Sequence, residues 1–352
     1  MKLWSGLDTT VHVLDGSAIA LRAVSLNGLG TNIRYHHLPV SIWARFAAGA
    51  ALVDTEYAAF LADDEFFIPS AVEASICELE NDRTLVACCG IAIDKSLTAD
   101  LIVPMSALTG EAVTNPSNLP GAAFQESSAA RMIFHMNPYS PSAFYGVCRS
   151  TSWKEAVLLF TERTFSSGLV AEMQFELFMS FSGKIKITDR LMWLRSAENP
   201  SNSAGFELGF DEWFLDKNYK KEVDAFLDLT AGYLARQAGG DFESAKRDLL
   251  LACDAYIEYC GRGVAKAGQP SLTVGSTPLP KIAASVLQSL KPFIRKVSSS
   301  LLMPLAVLLP HRLRFRPYLE IAKKLESNGF KIDWIQFAII LKAVKQSHAE
   351  KI

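Results

Sequence analysis

No run in this 352-residue chain approaches the roughly 18 consecutive apolar residues that a transmembrane helix needs. The longest candidate, "SLLMPLAVLLP", is shorter and is broken by Pro304 and Pro310. The opening "MKLWSGLDTTVHVLD" lacks an apolar stretch followed by small residues, so it does not read as a secretory signal. A soluble, cytoplasmic protein is expected. An excess of charge is also missing. The formal net charge is −2, which argues against a nucleic-acid binder with a wholly basic surface. Cysteines are few: Cys77, Cys88, Cys89, Cys148, Cys253 and Cys260 form no C-x-x-C pair. Most sit in apolar runs such as "VACCGIAI" and read as buried free thiols of a reducing compartment. No repeat of fixed period is found, which excludes a solenoid.

What the chain does have is apolar mass. Apolar residues make up 49% and charged residues 20%, so a packed core is expected. "VHVL" reads as a strand ending at Asp15-Gly16-Ser17. "VSIWARFAAGAALVD" has helical spacing and leads to a second buried run, "YAAFL". Pro69 and Ser70 open the helix "SAVEASICELEN", and "TLVACCGIAI" follows as a buried strand. This alternation predicts an α/β domain of three layers with a mostly parallel sheet. Residues 105–140, rich in Ser, Asn, Pro and Gly, read as a long loop region, after which "AFYGVC" resumes as a strand. Ser152 and Glu155 have the spacing of a capping box before "WKEAVLLFTERT". "AEMQFELFMSFSG" reads as a helix closed by Gly183, and "KIKITDRLMWLR" as the next strand. The expected division is a domain over 1–211, a helical extension over 212–267, a linker at 268–280 and C-terminal helices over 281–352.

The run "YAAFL" stops at Asp63-Asp64-Glu65. Three adjacent carboxylates repel one another unless a cation neutralises them. Hard oxygen ligands of this kind suit Mg²⁺ or Mn²⁺, which bridge carboxylates to phosphates. In parallel α/β sheets, ligands bind at the carboxyl ends of strands. The plainer reading is a solvated turn whose acids favour the positive end of the next helix.

The stretch "RFAAGAALVDTEYAAFLADDEFFIPSAVEASICELE" resembles the region around the D-x-D motif of family-two glycosyltransferases with the GT-A fold. In that family an Arg-bearing helix leads to a strand ending in acids, and Arg45 and "FLADDEFF" fall in those places. The resemblance implies that Asp64, followed by Glu65, ligates the metal, and that Asp63 touches the ribose; Ala62 stands where the family often has its first Asp. "VHVLDGS" is similar to the family's "V-D-D-G-S" strand, which makes Asp15 a contact to the nucleobase. "AEMQFELFMSFSGKIKI" is similar to the helix that carries the catalytic base and puts Glu172 there, with Glu in place of Asp. Over residues 1 to about 200, the resemblance implies a nucleotide-sugar donor, a divalent cation on its diphosphate, a glycan or lipid-linked acceptor, and inversion at the anomeric carbon. "PYSPSAFYGVCRS" and "DRLMWLRS" are similar to a bacterial subgroup associated with surface polysaccharides. The family's usual first strand, "hydrophobic-hydrophobic-P-T-Y-N-R", has no counterpart; either Met1 is an internal methionine of a longer chain, or the protein is a shortened relative.

Other residues have bland readings. His36 and His37 are expected in a loop, and His135 in the core. Glu176, one turn after Glu172, is expected in solvent. Arg131 and Arg195 are read first as surface ion-pair residues and second as phosphate ligands. Trp153, Trp193 and Trp213 are read as core before sugar platforms. Residues 281–316 interleave basic and apolar side chains; they read as helices packed on the domain, or as a peripheral contact with the inner face of a membrane. Two functions compete: a glycosyltransferase, and a non-catalytic relative that serves as a binding or scaffold subunit. A nucleotidyltransferase would need a basic Gly-rich loop, and "LNGLGTN" has no Lys or Arg.

Overall fold

Residues 85–93 are apolar without interruption apart from Gly90, as a strand covered on both faces must be. They form the middle of a five-stranded sheet. The computed structural model describes residues 4, 6–22, 28–62, 65–95, 119, 122–196, 208–268 and 311–349. In chain order the elements are β1 (Val11–Asp15), β2 (Ile33–His37), α1 (Ile42–Leu52), β3 (Tyr57–Ala58), β4 (Phe66–Phe67), α2 (Pro69–Asn81), β5 (Leu85–Lys95), α3 (Ser128–His135), β6 (Val147–Arg149), α4 (Ser150–Glu162), α5 (Leu169–Ser182), β7 (Lys184–Ser196), α6 (Phe210–Leu215), α7 (Lys220–Ala238), α8 (Phe242–Gly268), α9 (His311–Ser327) and α10 (Trp334–Ala349).

The sheet order is β3-β6-β5-β7-β4, and β1 pairs with β2 in a separate two-stranded sheet. The expectation of a mostly parallel sheet is corrected here. β5 and β7 run parallel, but β3 with β6, β6 with β5, and β4 with β7 are antiparallel. The fold is mixed α/β. β6 follows a tight turn rather than a crossover helix: Gly146 N donates to Ala143 O, so "AFYGVC" is strand only from Val147 onward.

Several local expectations are also corrected. "IRYHH" is a strand, β2, in parallel register with β1 from Val11↔Ile33 to Asp15↔His37, so His36 and His37 are not in a loop. "YAAFL" keeps only two strand residues, and Leu61 is exposed. Helix α3 lies inside the expected loop region, with Ser127 Oγ accepting from Ala130 N as its cap. Ser152 does not cap α4; the helix begins two residues earlier, with Arg149 at its N-cap and no side-chain cap. The basic segment at 281–310 lies outside the described residues, as do residues 269–280 of the expected linker, whose first residue, Gly268, ends α8. No helix among the described residues is long and apolar enough to cross a membrane.

Helices cover both faces of the sheet. On one face, Trp153, Phe160, Phe175, Phe178, Phe210, Trp213 and Phe226 pack into one core with Ala87 and Ile185, drawing in α4 to α8. The other face joins Leu79 of α2 to Ile321, Leu325, Phe337 and Ile340 of α9 and α10. Trp193 belongs to that second core, so all three tryptophans pack inside the protein. Between Ile187 and Leu191, β7 bulges away from β5. The bulge gives its backbone to the C-terminal helices: Leu191 N donates to Lys331 O, and Lys331 N donates to Asp189 O. All six cysteines are free; four are buried, Cys77 is exposed and Cys260 is intermediate. Burial pushes the Cys88 thiol up to about 12, far from thiolate chemistry.

Gly183 ends α5 and starts β7 without a spacer. A Cβ there would run into Val86 Cγ1 and lie 3.0 Å from Thr84 O, both on the neighbouring strand region. Gly183→Ala is expected to lower stability by about 1–3 kcal/mol through overpacking. The measurement is the urea midpoint, and an unchanged midpoint would show that β5 yields without cost.

Candidate functional site

β1 delivers Asp15 to its carboxyl end, where the chain turns at Gly16. The carboxylate is held on two sides. Ser17 N donates to Oδ1 at 2.8 Å, and the Tyr35 hydroxyl donates to Oδ2. These bonds, first that from Tyr35 and then those from Ser17, hold the Asp15 carboxyl down to about 2. Asp15 therefore stays ionised although it is half-buried. His37, opposite Asp15 in the register, hydrogen-bonds through Nε2 to Ser17 O at 2.8 Å. Burial pushes Tyr35's own hydroxyl upward, and Asp15 adds to that shift, so the phenol remains a donor.

Arg45, on the first turns of α1, reaches back to this corner. Its Nη1 donates to Val40 O at 2.7 Å, and a Cβ built on Gly16 would fall on the guanidinium. A side chain at position 16 would displace the Arg45 guanidinium from the residue next to Asp15. The sequence gives no direct sign of this contact, since the two residues are separated by a strand and a loop.

Of the acid cluster, Asp63 and Asp64 lie outside the described residues. Glu65 directly precedes β4, and its amide donates to Ala62 O at 3.3 Å. Among the described residues no group of three or more His, Cys, Asp and Glu is placed to hold a metal. Glu65 is the described member of the proposed ligand set, and its carboxylate is the hard donor that Mg²⁺ or Mn²⁺ prefers.

Glu172 stands in the first turn of α5. Its Oε1 accepts from the Tyr139 hydroxyl at 2.8 Å. Burial, then the charges of Glu172 and Glu176, push Tyr139 well above the ordinary phenol range, so it acts as donor only. The structure corrects the reading of Glu176 as solvated. Its side chain is fully buried. His135 Nε2 lies 2.7 Å from its Oε2, Ala143 N donates to Oε2 at 3.2 Å, and Phe144 N donates to Oε1 at 2.7 Å. His135 is a core residue, as expected, although its Nδ1 has no hydrogen-bond partner. With no acceptor for a proton on Nδ1, the Nε2–H tautomer fits the site.

Arg131 is neither a surface ion-pair residue nor a phosphate ligand. It is buried, and its guanidinium donates to the carbonyls of Ser180, Phe181, Gln125 and Glu126. It thereby closes the carboxyl end of α5. His12 and His36 stack at a ring separation of 5.3 Å, and burial, followed by His36 and Arg34, lowers the His12 pKa. Arg195 lies on β7 opposite Asp94 in the parallel register.

Sequence reasoning missed Tyr35, Tyr139 and Glu176. For Tyr35 a signal existed: Ile33, Tyr35 and His37 alternate with Arg34 and His36 at the strand period. For Glu176 the signal was that "LVAEMQFELFMSFS" is apolar around nearly its whole circumference. A helix of that kind is surrounded by protein, so an acid in its middle cannot be solvated.

No family model matches the chain, and no curated protein matches it in sequence. Among solved structures, the crystal structure of S. aureus TarS 1-349 aligns with a TM-score of 0.37 and 10% identity, over 76% of this chain and 86% of that one. At that score the likeness carries no argument about function.

Two predictions follow from these contacts. Asp15's folded pKa lies below its unfolded one, so its ionised form supports the fold throughout the range above ordinary carboxylate titration. That support is lost as the pH falls towards about 2. Tyr35→Phe should move the Asp15 midpoint upward in a carboxyl-detected NMR titration; an unmoved midpoint would mean that Ser17 alone sets it. The second concerns the two acids of α5. Glu176→Ala strands two amides and an imidazole in the core and should cost about 3–5 kcal/mol. Glu172→Gln keeps an acceptor for Tyr139 and should change stability by less than about 1 kcal/mol in the same urea series.

Proposed function

We propose that the chain is a glycosyltransferase that uses a nucleotide-sugar donor, with a GT-A-like arrangement of its first two hundred residues. The observation that carries this reading is the corner at the end of β1. There a half-buried carboxylate is kept ionised and oriented by Tyr35 and Ser17, with a guanidinium laid over the adjacent glycine. A carboxylate of this kind accepts N–H groups of a nucleobase, and an arginine beside it meets the negative charge that follows along the nucleotide. Both lie at the carboxyl end of a parallel strand, where ligands of open α/β sheets bind.

In this reading Asp15 contacts the base, Asp63 the ribose, and Arg45 the donor's anionic part. Asp64 and Glu65 would hold Mg²⁺ or Mn²⁺, which supplies Lewis-acid charge neutralisation to a departing diphosphate. Glu172 takes the proton of an acceptor hydroxyl on a glycan or lipid-linked substrate, and Tyr139 fixes the orientation of its carboxylate. Attack from the face opposite the leaving group inverts the anomeric carbon. The enzyme would work in the cytoplasm, with residues 281–316 resting on the inner face of a membrane where a lipid-linked acceptor is found.

One observation favours the rival reading, a scaffold subunit that keeps the fold without the chemistry. Among the described residues, the β1–β2 pair that carries Asp15 forms its own sheet and shares no ladder with the five-stranded one. A donor corner on a small separate ladder is less rigidly placed than one on a continuous sheet.

Calorimetric titration of UDP- and GDP-sugars with Mn²⁺ separates the two. The enzyme reading expects metal-dependent binding that is lost in Asp64→Ala. It also expects Glu172→Gln to keep that binding while losing about 10²–10⁴-fold in transfer rate, the usual contribution of a general base. Absence of donor binding by a folded chain would favour the scaffold.

A further inference from the structure

A recess of 260 Å³ opens at the amino end of β3, between the Asp54–Glu56 segment and the start of α4. It uses neither Asp15 nor the acid cluster nor Glu172, so it stands or falls independently of the donor site. Its inner wall is the first turn of a thirteen-residue helix that has no side-chain cap and no acid in that turn. Ser150 N is spent on Glu56 O at 2.9 Å, and the N-cap residue Arg149 offers the amides behind it no side-chain acceptor. Such an end carries partial positive charge and unmet donors.

A second observation points to a ligand. Ser150 lines the recess, is only 5% exposed, and its Oγ has no hydrogen-bond partner. A buried hydroxyl left in this state bears its full desolvation cost, and a ligand in the recess would relieve it. Lys154, one turn along α4, also lines the recess and makes no ion pair among the described residues. Arg149 is not available in the same way. Its guanidinium donates to the carbonyls of Leu79, Asp82 and Leu85 and makes only a long 3.4 Å contact with Glu56.

The outer wall has the opposite character. Asp54 and Glu56 place two exposed carboxylates across from the helix end. They repel a bare anion but accept readily from hydroxyl groups. An occupant that satisfies both walls has a phosphate at one end and hydroxyls at the other. We propose that this recess is a second ligand site, for a small phosphorylated polyol of the size of a hexose monophosphate. Its phosphate sits on the α4 amides, Ser150 Oγ and Lys154 Nζ. Its hydroxyls donate to Asp54 and Glu56.

The full chain is titrated calorimetrically with glucose 6-phosphate, inorganic phosphate and glucose, and each variant's thermal midpoint is recorded to confirm the fold. Saturable binding of glucose 6-phosphate is expected, weaker binding of inorganic phosphate, and none of glucose. Lys154→Ala and Ser150→Ala should each weaken the sugar phosphate about tenfold, the equivalent of one hydrogen bond to a charged group. Asp54→Asn should act in opposite directions, weakening glucose 6-phosphate and tightening inorganic phosphate. Failure of both phosphates to saturate the unmodified chain would overturn the site. So would affinities untouched by both the Lys154 and Ser150 changes. Tightening of both phosphates alike by Asp54→Asn would overturn the polyol assignment.

Discussion

Glu176 sits in the middle of a helix whose other residues from Val170 to Phe181, apart from Glu172, are all buried. A carboxylate in that position is tolerable only if its lone pairs are met, because desolvation otherwise costs more than packing returns. The partners cannot come from α5 itself, whose amides are committed to the helix. They come from residues 135–144, which must fold back so that one imidazole and two consecutive amides converge on the two oxygens. This requirement fixes the path of the chain from α3 into β6. It also explains why the segment turns tightly and enters the sheet antiparallel to β5. Tyr139 lies within the same fold-back, and its hydroxyl arrives at Glu172 one helical turn before Glu176. The placement of the proposed base thus depends on a buried acid that does no chemistry.

The other side of the sheet is tied down by backbone rather than by charge. The bulge in β7 frees amide and carbonyl groups at Asp189 and Leu191, and Lys331 takes both. Gly90, facing the bulge, has room for no side chain: a Cβ would lie 2.5 Å from both Arg190 O and Met192 Cβ. The close approach of β5 and β7 and the docking of α9 and α10 are therefore linked. Ser70 Oγ adds a bond to Asp333, at 2.8 Å, from the start of α2 to the entry of α10. The C-terminal helices are held to the sheet by polar contacts at fixed points, with the apolar faces of Ile321, Leu325, Phe337 and Ile340 filling the space between.

Much of this was legible in the sequence, for physical reasons that differ by element. β5, α2 and α5 announce themselves because their apolar residues recur at strand or helix spacing, which periodicity reports directly. β2 was passed over because Arg34, His36 and His37 outweigh its two apolar residues, although the alternation was present. The capping box at Ser152 was a false lead. Ser150 N finds Glu56 O across the fold, so tertiary contact moves the helix start two residues upstream. Strand direction was out of reach for a related reason. Alternating strands and helices suggest parallel order, yet β6 is turned by contacts to Glu176, more than thirty residues away in sequence. At the site, Asp15, Arg45 and Glu172 rested on resemblance; Tyr35 had a signal in the strand alternation, whereas the roles of Gly16 and Tyr139 become visible only through packing.

The described acids divide by a criterion that composition cannot supply, which is whether their lone pairs are already committed. At Glu176 every contact is internal and solvent is excluded, so a substrate can gain nothing there. Asp15 is the reverse case. It is half-buried, and two donors hold it ionised at the carboxyl end of β1, next to the exposed turn at Gly16. Both are carboxylates with hydrogen-bond donors around them, and both would score alike in a count of polar contacts. Their environments assign one to the fold and leave the other available to a ligand. Ser150 extends the same reasoning to a neutral group: buried like Glu176 but without its partners, it marks a place where the fold alone leaves a polar group unmet. Next to an uncapped helix end and beside Lys154, a demand of that kind points outward, to something that binds.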